Sequence, residues 1–506
     1  MEKVPNRGLI TVCAMVATLM QALDSTIANV ALPYMQGSLS ATSDQITWVL
    51  TSYIVAAAIM TAPVGWLSAR FGRKPLFLTC LVGFTVTSML CGVAQSLTQM
   101  VVFRVLQGVF GAALVPLSQS TMLDIYPPEQ RGSAMAIWGM GVMVGPILGP
   151  TLGGYLTDLY DWRWVFYVNL PFGILATTGL LLFLPKSEAK PGMRFDSLGF
   201  GVLALGIGAL QLMLDRGQDQ DWFGSREIIV EAVLGGLGIY LFVVHLATAE
   251  KPFLSPRLFK DRNLSVSLAI MFSVGMILLA SSALLAPWLQ TLAGFPVKTA
   301  GLVLAPRGFG TMAAMMISGR LAGRVDPRKL MALGIALLSY SLWTMTAWTP
   351  DVAISTVLVN TIIQGAGLGF VFIPLQVVAF ATLPADLRTD GTSLLSLLRN
   401  VGSAVGVSAC SALLARNVQV SHADLAAGIT PFNPAYHPGA PAALLSPATP
   451  KGAAMLDAMV NHQAAIIAYL DDFKAMLVVT LPSVLLLLLM RRPVPAPVDP
   501  AHAAME

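Results

Sequence analysis

Charge is what this sequence has least of. Asp, Glu, Lys and Arg make up 11% of 506 residues, against about 25% in an ordinary soluble chain. So few charges cannot cover water-soluble domains, whereas 56% apolar residues and a mean hydropathy of +0.73 suit a chain solvated by lipid. Net charge is only +4, with the basic residues in small loop clusters, which argues against nucleic acid as a partner. Cysteine is also scarce. Cys13, Cys80, Cys91 and Cys410 lie inside apolar runs, with neither metal-ligand spacing nor a disulfide framework. A GxxxxGK[ST] phosphate loop is missing, so ATP is not the direct energy source. HExxH is missing too, and none of His245, His422, His437, His462 and His502 falls mid-span. Catalysis has no candidate constellation, so the chain reads as a non-enzyme with no metal or other cofactor.

What is present is a succession of apolar runs. At roughly 20 residues per crossing the chain fits fourteen membrane-spanning helices, an all-α polytopic architecture. The expected spans are 9–34, 46–69, 76–95, 98–122, 132–156, 163–185, 197–215, 227–247, 263–288, 298–320, 329–348, 353–382, 391–414 and 473–490. Ile10 to Met20 resembles a signal-peptide core in length, but the run continues through Asp24 to Pro33 without a cleavage pattern and reads as a retained helix. Of 30 Lys and Arg, 20 fall in the tails and loops of one side, seven on the other, and Arg104, Arg307 and Arg399 inside spans. The positive-inside rule then places both termini in the cytoplasm. Arg416 to Asp472 is polar and Pro- and Ala-rich, and is expected as an outer loop, 415–472, either mobile or a docking surface.

Aligning the loops exposes an internal repeat. Gly65-Trp-Leu-Ser-Ala-Arg70 returns as Gly319-Arg-Leu-Ala-Gly-Arg324, Gln107-Gly108 as Gln364-Gly365, and Pro116-Leu117 as Pro374-Leu375. Pro127 and Arg131 match Pro384 and Arg388, and Gly145 and Gly149 match Gly402 and Gly406. The expected organisation is a six-helix bundle over 1–190, two inserted helices over 191–250, a second six-helix bundle over 251–495 and a cytoplasmic tail over 496–506. Two parallel bundles suit a transporter in which one half rocks against the other.

Asp24 carries the chemistry. It sits deep in the first span, where a carboxylate costs at least ~2.5–3.5 kcal/mol and so must face a cavity or a partner. No other Asp or Glu lies so far from a predicted span end. Low dielectric raises a carboxyl's proton affinity and a nearby cation lowers it, so small rearrangements move it through neutrality. The residues alone leave two roles open, a proton carrier or a permanent salt bridge between helices. Arg104 in span four cannot shed its proton, and suits either a counter-charge for Asp24 or a donor to backbone carbonyls. Arg307 and Arg399 suit anionic substrate, the cavity wall or a structural role. Gln21, Asn29, Gln107 and Gln364 complete the polar side chains expected along a cavity.

Span five places Gly141, Gly145, Gly149 and Gly153 at every fourth position, with Pro146 and Pro150 between them. That stripe allows close helix approach, the prolines bend it, and together they suggest a helix that slides or tilts against the other half. Gly65, Arg70, Gly72 and Arg73 form a tight basic turn that either gates the cytoplasmic side or simply anchors it.

These segments together resemble the major facilitator superfamily, and within it the fourteen-span drug:proton antiporter branch of EmrB type. The likeness runs over nearly the whole chain. LDSTIANVALP (Leu23–Pro33), GWLSARFGRK (Gly65–Lys74), RVLQGVFGA (Arg104–Ala112), GVMVGPILGPTLGG (Gly141–Gly154) and LDRG (Leu214–Gly217) carry it. The resemblance ties Asp24 and Arg104 to proton coupling and assigns Gly141, Gly145, Pro146, Gly149, Pro150 and Gly153 to a motif of exporters. It implies a bacterial inner-membrane protein driven by the proton gradient that exports hydrophobic or amphipathic toxic compounds. It also implies an EmrA-like periplasmic adaptor and an outer-membrane channel as partners. A dedicated exporter of one metabolite, fatty acid or siderophore-like compound is the alternative. The chain departs from the family at Ala69, where the loop motif usually has Asp, so the relay assigned to that acid is missing or supplied by another group.

Overall fold

The computed structural model describes residues 6–186, 189–190, 192–250, 252–321, 324–430 and 449–491. Every regular element among them is helical. Helices satisfy each backbone N–H and C=O within their own segment, which a bilayer demands because it offers no water to do so.

The first half contains α1 (Arg7–Ser38), α2 (Trp48–Thr61), α3 (Val64–Phe71), α4 (Arg73–Val93), α5 (Leu97–Gly111), α6 (Leu114–Ile125), α7 (Pro128–Leu159) and α8 (Asn169–Phe183). Pro63 lacks the N–H that would continue the ladder, and α2 and α3 bend there by 57° as one broken span. The inserted pair is α9 (Ser197–Arg216) and α10 (Arg226–Thr248). The second half contains α11 (Arg262–Pro287), α12 (Pro306–Leu321), α13 (Pro327–Met345), α14 (Ile354–Ala379), α15 (Arg388–Ala427), α16 (Pro450–Thr480) and α17 (Pro482–Leu489).

Among the described residues, twelve helical stretches are long and apolar enough to cross a bilayer, thirteen with the bent α2–α3 pair. The remaining expected crossing falls on α13, 19 residues long, or about 28 Å by helical rise. Arg328 and Lys329 in its first turn and Ser339-Tyr340-Ser341 further on dilute its apolar character.

The duplication reappears in the packing. α1 lies on α7 as α11 lies on α15, α2 on α5 as α12 on α14, and α4 on α5 and α8 as α13 on α14 and α16. Between halves, α7 meets α12 and α14, while α2, α3 and α6 meet α15. α9 spans the seam, touching α2 and α15. α10 hangs on α9 where a Cβ on Gly238 would lie 2.6 Å from Gly206 Cα, and it turns Val233, Leu237 and Tyr240 outward.

One expectation needs correcting here. α15 is 40 residues long, about 60 Å and twice the hydrocarbon thickness. It continues through Arg416 to Ala427, and α16 begins at Pro450 and pairs with it; His422 and Asp457 are bonded at 3.0 Å. Most of the supposed loop 415–472 is therefore a helical hairpin, and its residues 431–448 lie outside the described residues. Hydropathy registers the loss of apolar character past Leu414, but helix formation follows propensity, and Ala-rich sequence continues a helix into water. The tail 496–506 also lies outside the described residues. The four cysteines are free thiols, three of them buried.

Candidate functional site

Asp24 and Arg104 meet in the middle of the first half, both at zero exposure. Arg104 Nη1 donates to Asp24 Oδ2 at 2.7 Å and to Gln107 Oε1 at 2.8 Å. Its Nε donates to Val49 O at 3.0 Å, and its guanidinium carbon lies 4.2 Å from the centre of the Tyr53 ring. Gln107 Nε2 donates to the other carboxylate oxygen, Asp24 Oδ1, at 2.9 Å. Asn169 on α8 also donates to Oδ1, at 3.3 Å, and to Ser88 Oγ at 2.9 Å. Arg104 Nη2 alone among the guanidinium nitrogens has no partner.

Local sequence explains the convergence. Arg104 and Gln107 are three apart on α5 and so share one face, which is turned to α1. Gly108 lets that face close on α2, because a Cβ there would come within 3.0 Å of Ala56 Cβ and against the Tyr53 carbonyl. The carboxylate thus has a cation and two amides in a solvent-inaccessible, low-dielectric interior, the setting in which protonation and helix separation depend most strongly on each other.

The glycine stripe of α7 fixes the position of α1. A Cβ on Gly145 would lie 2.8 Å from Ala22 Cβ and 2.9 Å from Leu23 N, and one on Gly153 2.8 Å from Ile27 Cγ1. Gly141 and Gly149 are equally close to Met15 and Thr26. The stripe therefore faces α1 within the same half. The opposite half is met by another face of α7, at Gly132, Ala136 and Gly139. Pro146 and Pro150 lie within α7, their side chains outside the described residues.

A second polar cluster closes the end that carries the basic loops. Gly72 takes a φ of 87° between α3 and α4, a conformation that favours glycine. Arg73 just beyond it pairs with Asp124 on α6, and Asp124 also accepts from Arg388 of α15 at 2.7 Å. Arg73 Nη2 reaches Thr389 Oγ1 at 3.5 Å, Thr392 Oγ1 donates to Pro116 O at 3.1 Å, and Ser133 Oγ to Gly319 O at 3.5 Å. All hydrogen bonds between the two halves among the described residues are these. Ala69 has no acid to offer, but a carboxylate reaches the loop from the second half: Asp390 occupies the space that a side chain on Gly65 would need. Among the described residues the Arg70 side chain has no hydrogen-bond or ion-pair partner.

The other expected residues disperse. Gln21 donates to Tyr53 OH at 3.3 Å, at the edge of the Asp24 cluster. Asn29 is exposed. Arg307 is held within the second half by Ser282 Oγ at 2.6 Å, Ser281 Oγ at 3.0 Å and Leu278 O at 3.2 Å. Among the described residues the Arg399 side chain has no hydrogen-bond partner, and Gln364 is fully buried with both amide atoms unpaired. Sequence reasoning misses Asn169, whose signal is a lone amide in an apolar span. It misses Asp124, Arg388 and Asp390, which look solvated near span ends. It also misses the burial of Asp472, which lies at an expected span end. Asp472, in the last span-forming helix, is at zero exposure.

The Major Facilitator Superfamily model matches residues 14–407. The chain belongs to that family. Among curated proteins, the multidrug export protein EmrB of Escherichia coli K12 is 36% identical over 428 residues, 84% of each chain. The fatty acid resistance protein FarB of Neisseria gonorrhoeae is 36% identical over 430 residues, 85% of each chain. The fold is shared with the human organic anion transporter MFSD10, at a TM-score of 0.57 and 14% identity over 94% of this chain and 100% of that one. Within the superfamily the chain is therefore of EmrB type.

Proposed function

We propose that this superfamily member is a proton-driven exporter of hydrophobic and amphipathic compounds in the bacterial inner membrane. Fourteen spans and cytoplasmic termini fit its loop charges, and no cofactor beyond the proton gradient is required. The observation that carries the reading is the Asp24–Arg104–Gln107–Asn169 network, a fully buried ion pair held against the helix that bears the exporter motif. The similarity to EmrB supports the multidrug range.

The geometry suggests how coupling works. The ionised carboxylate of Asp24 binds α1 to α5 and α8. A proton on Asp24 removes the charge that Arg104 neutralises, weakens the three contacts and lets α1 shift with α7, to which the glycines tie it. The latch of Arg73, Asp124 and Arg388 holds the cytoplasmic side closed meanwhile. Substrate and proton then favour different arrangements of the two halves, which is the requirement for exchange. An EmrA-like adaptor and an outer-membrane channel are the partners this reading implies, with the α15–α16 hairpin as the part of the chain on their side.

Inverted vesicles with a panel of compounds and a proton-sensitive dye provide the test. Asp24→Asn should abolish substrate-dependent proton movement and drug resistance at unchanged protein level. Proton-driven efflux that survives the substitution removes Asp24 from the mechanism. The similarity to FarB favours a second reading, a dedicated exporter of fatty acids by the same antiport. Resistance restricted to one compound class, with no competition from chemically unlike drugs, would select it.

A further inference from the structure

Asp472 belongs to neither polar cluster described above. It lies on α16 at zero exposure, and among the described residues neither carboxylate oxygen has a hydrogen-bond partner. Its neighbours along the helix, Tyr469, Phe473 and Met476, belong to an apolar cluster with Ile277, Trp288 and Trp348. The charged and titratable groups around it are few. On α16, Asp471 and Lys474 bond each other at 2.9 Å and remain partly exposed. On α15, the Cys410 thiol is near enough to feel the charge of Asp472, as is Tyr469 on α16. Arg399 and Arg416 lie 11 and 6 residues from Cys410, about 16 and 9 Å of helical rise, and neither pairs with Asp472. α11 has Arg262 and α13 has Arg328 and Lys329, all in first turns at the opposite end, and α17 has no charged residue.

An ionised carboxylate in such surroundings has neither cation nor donor, the least tolerable form of buried charge. The neutral acid is the form these surroundings accept. Asp24, bonded to an arginine and two amides, is in the opposite situation in the same conformation. One helical turn from Asp472, which does not itself line it, a cavity of about 90 Å³ opens between α11, α15 and α16, lined among others by Met276, Ala280, Gly406, Cys410, Ala475 and Met476. Ala475 and Met476 follow Asp472 by three and four residues and so lie on its face of the helix. The cavity has room for ~3 waters.

We propose that Asp472 is a second proton-binding site of the transport cycle, protonated in this conformation and discharged when α16 shifts against α11 and α15 and water fills the nearby cavity. In that step the carboxyl O–H bond breaks, the proton passes to water, and the carboxylate keeps the electron pair. The proposal rests on the proton-coupled reading of the chain. Its own content is that the second half carries a proton too, out of phase with Asp24.

Two measurements on the full chain in proteoliposomes test it. Dicyclohexylcarbodiimide modifies protonated carboxyls in apolar surroundings, and peptide mass spectrometry should find it on Asp472 and not on Asp24 at neutral pH. An unmodified Asp472 beside other modified carboxyls overturns the proposal. In the second measurement, Asp472→Asn should continue substrate-driven exchange with an about twofold fall in protons moved per substrate, as one of two titratable carboxyls is lost; Asp472→Glu should restore the ratio. An unchanged ratio in Asp472→Asn overturns the proposal. Wild-type liposomes that move no protons with substrate refute proton coupling itself, a result distinct from either outcome at Asp472. Should Asp472→Asn fail to fold, the labelling result and the ratio of Asp472→Glu decide.

Discussion

In the first half, Asp24, Arg104, Gln107 and Asn169 are buried and bond one another. In the second half, Gln364, Gln376 and Asp472 are equally buried, and their side-chain nitrogens and oxygens bond nothing. The backbone does not explain the contrast, because the packing glycines are retained. A Cβ on Gly145 or Gly149 would strike α1 at Ala22 or Thr26, and one on Gly402 or Gly406 would strike α11 at Phe272 or Met276. By those contacts, the place of Asp24 on α11 falls within Phe272-Ser-Val-Gly-Met276, which holds no acid, and the repeat puts Thr361 where Arg104 stands. Gln364 remains as the counterpart of Gln107 without the ion pair it would serve. Duplication has preserved how the helices fit and released what they carry, since packing tolerates few alternatives to glycine at a close crossing while a polar side chain in a cavity is replaceable.

Five substitutions sharpen or break this comparison. The largest effect is expected from Arg104→Ala, which leaves Asp24 buried without its cation and should destabilise by about 3–5 kcal/mol. Thermal unfolding in detergent measures it, and adding Asp24→Asn should recover part of the loss. A neutral result would mean the two halves differ less than their hydrogen bonds suggest. Gly145→Val and Gly402→Val come next, at about 1–3 kcal/mol each by overpacking. Comparable losses in the two halves would establish the common scaffold, and a loss in one half only would deny it.

A smaller effect is expected at the join between the halves. Asp196 caps α9 through Gly199 N–H at 2.8 Å and bonds His245 at 2.8 Å and Phe253 N–H at 3.3 Å. Burial pushes its carboxyl up, but the bonds from Gly199, His245 and Phe253, with the charge of His245, hold it below the usual carboxylate range. Asn also caps helices, so the cost of Asp196→Asn, about 1 kcal/mol, should come from losing the charge on the bonds to His245 and the two backbone N–H groups. Because the folded-state pKa is depressed, the wild-type advantage is complete above the ordinary carboxylate pKa and disappears as pH falls through the lower folded value. Unfolding midpoints of the two proteins should therefore converge in acid; a gap independent of pH would assign the effect to the cap geometry alone. The smallest effect belongs to Gln364→Leu, which removes two unpaired buried polar atoms and should leave stability unchanged or slightly higher. A clear loss of stability would show that Gln364 is bonded after all.

Much of the fold was legible because lipid solvation acts on composition one stretch at a time. Apolar runs marked the crossings, basic residues marked their loops, and spaced glycines marked close contacts. Asp24 and Arg104 stood out because ionisable groups inside apolar runs are rare. The errors have a common origin. The helical course of 416–427 and 450–472 and the burial of Asp472 depend on what lies alongside a segment. Asp472, next to Asp471 and Lys474 at a span boundary, reads as solvated from its neighbours in sequence; its neighbours in space are Phe473, Met476 and the apolar faces of α11 and α15.

From the sequence by itself come the membrane class, the duplicated helical plan and the presence of one deep carboxylate with an arginine to match it. These follow from residue type and spacing. Tertiary structure alone decided which partners each buried charge has. The bonds to Asp24 come from residues 80, 83 and 145 positions away, and Asp472 has none. A carboxylate's proton affinity is set by the atoms within a few ångströms of it, and in a helical bundle those atoms arrive from distant parts of the chain.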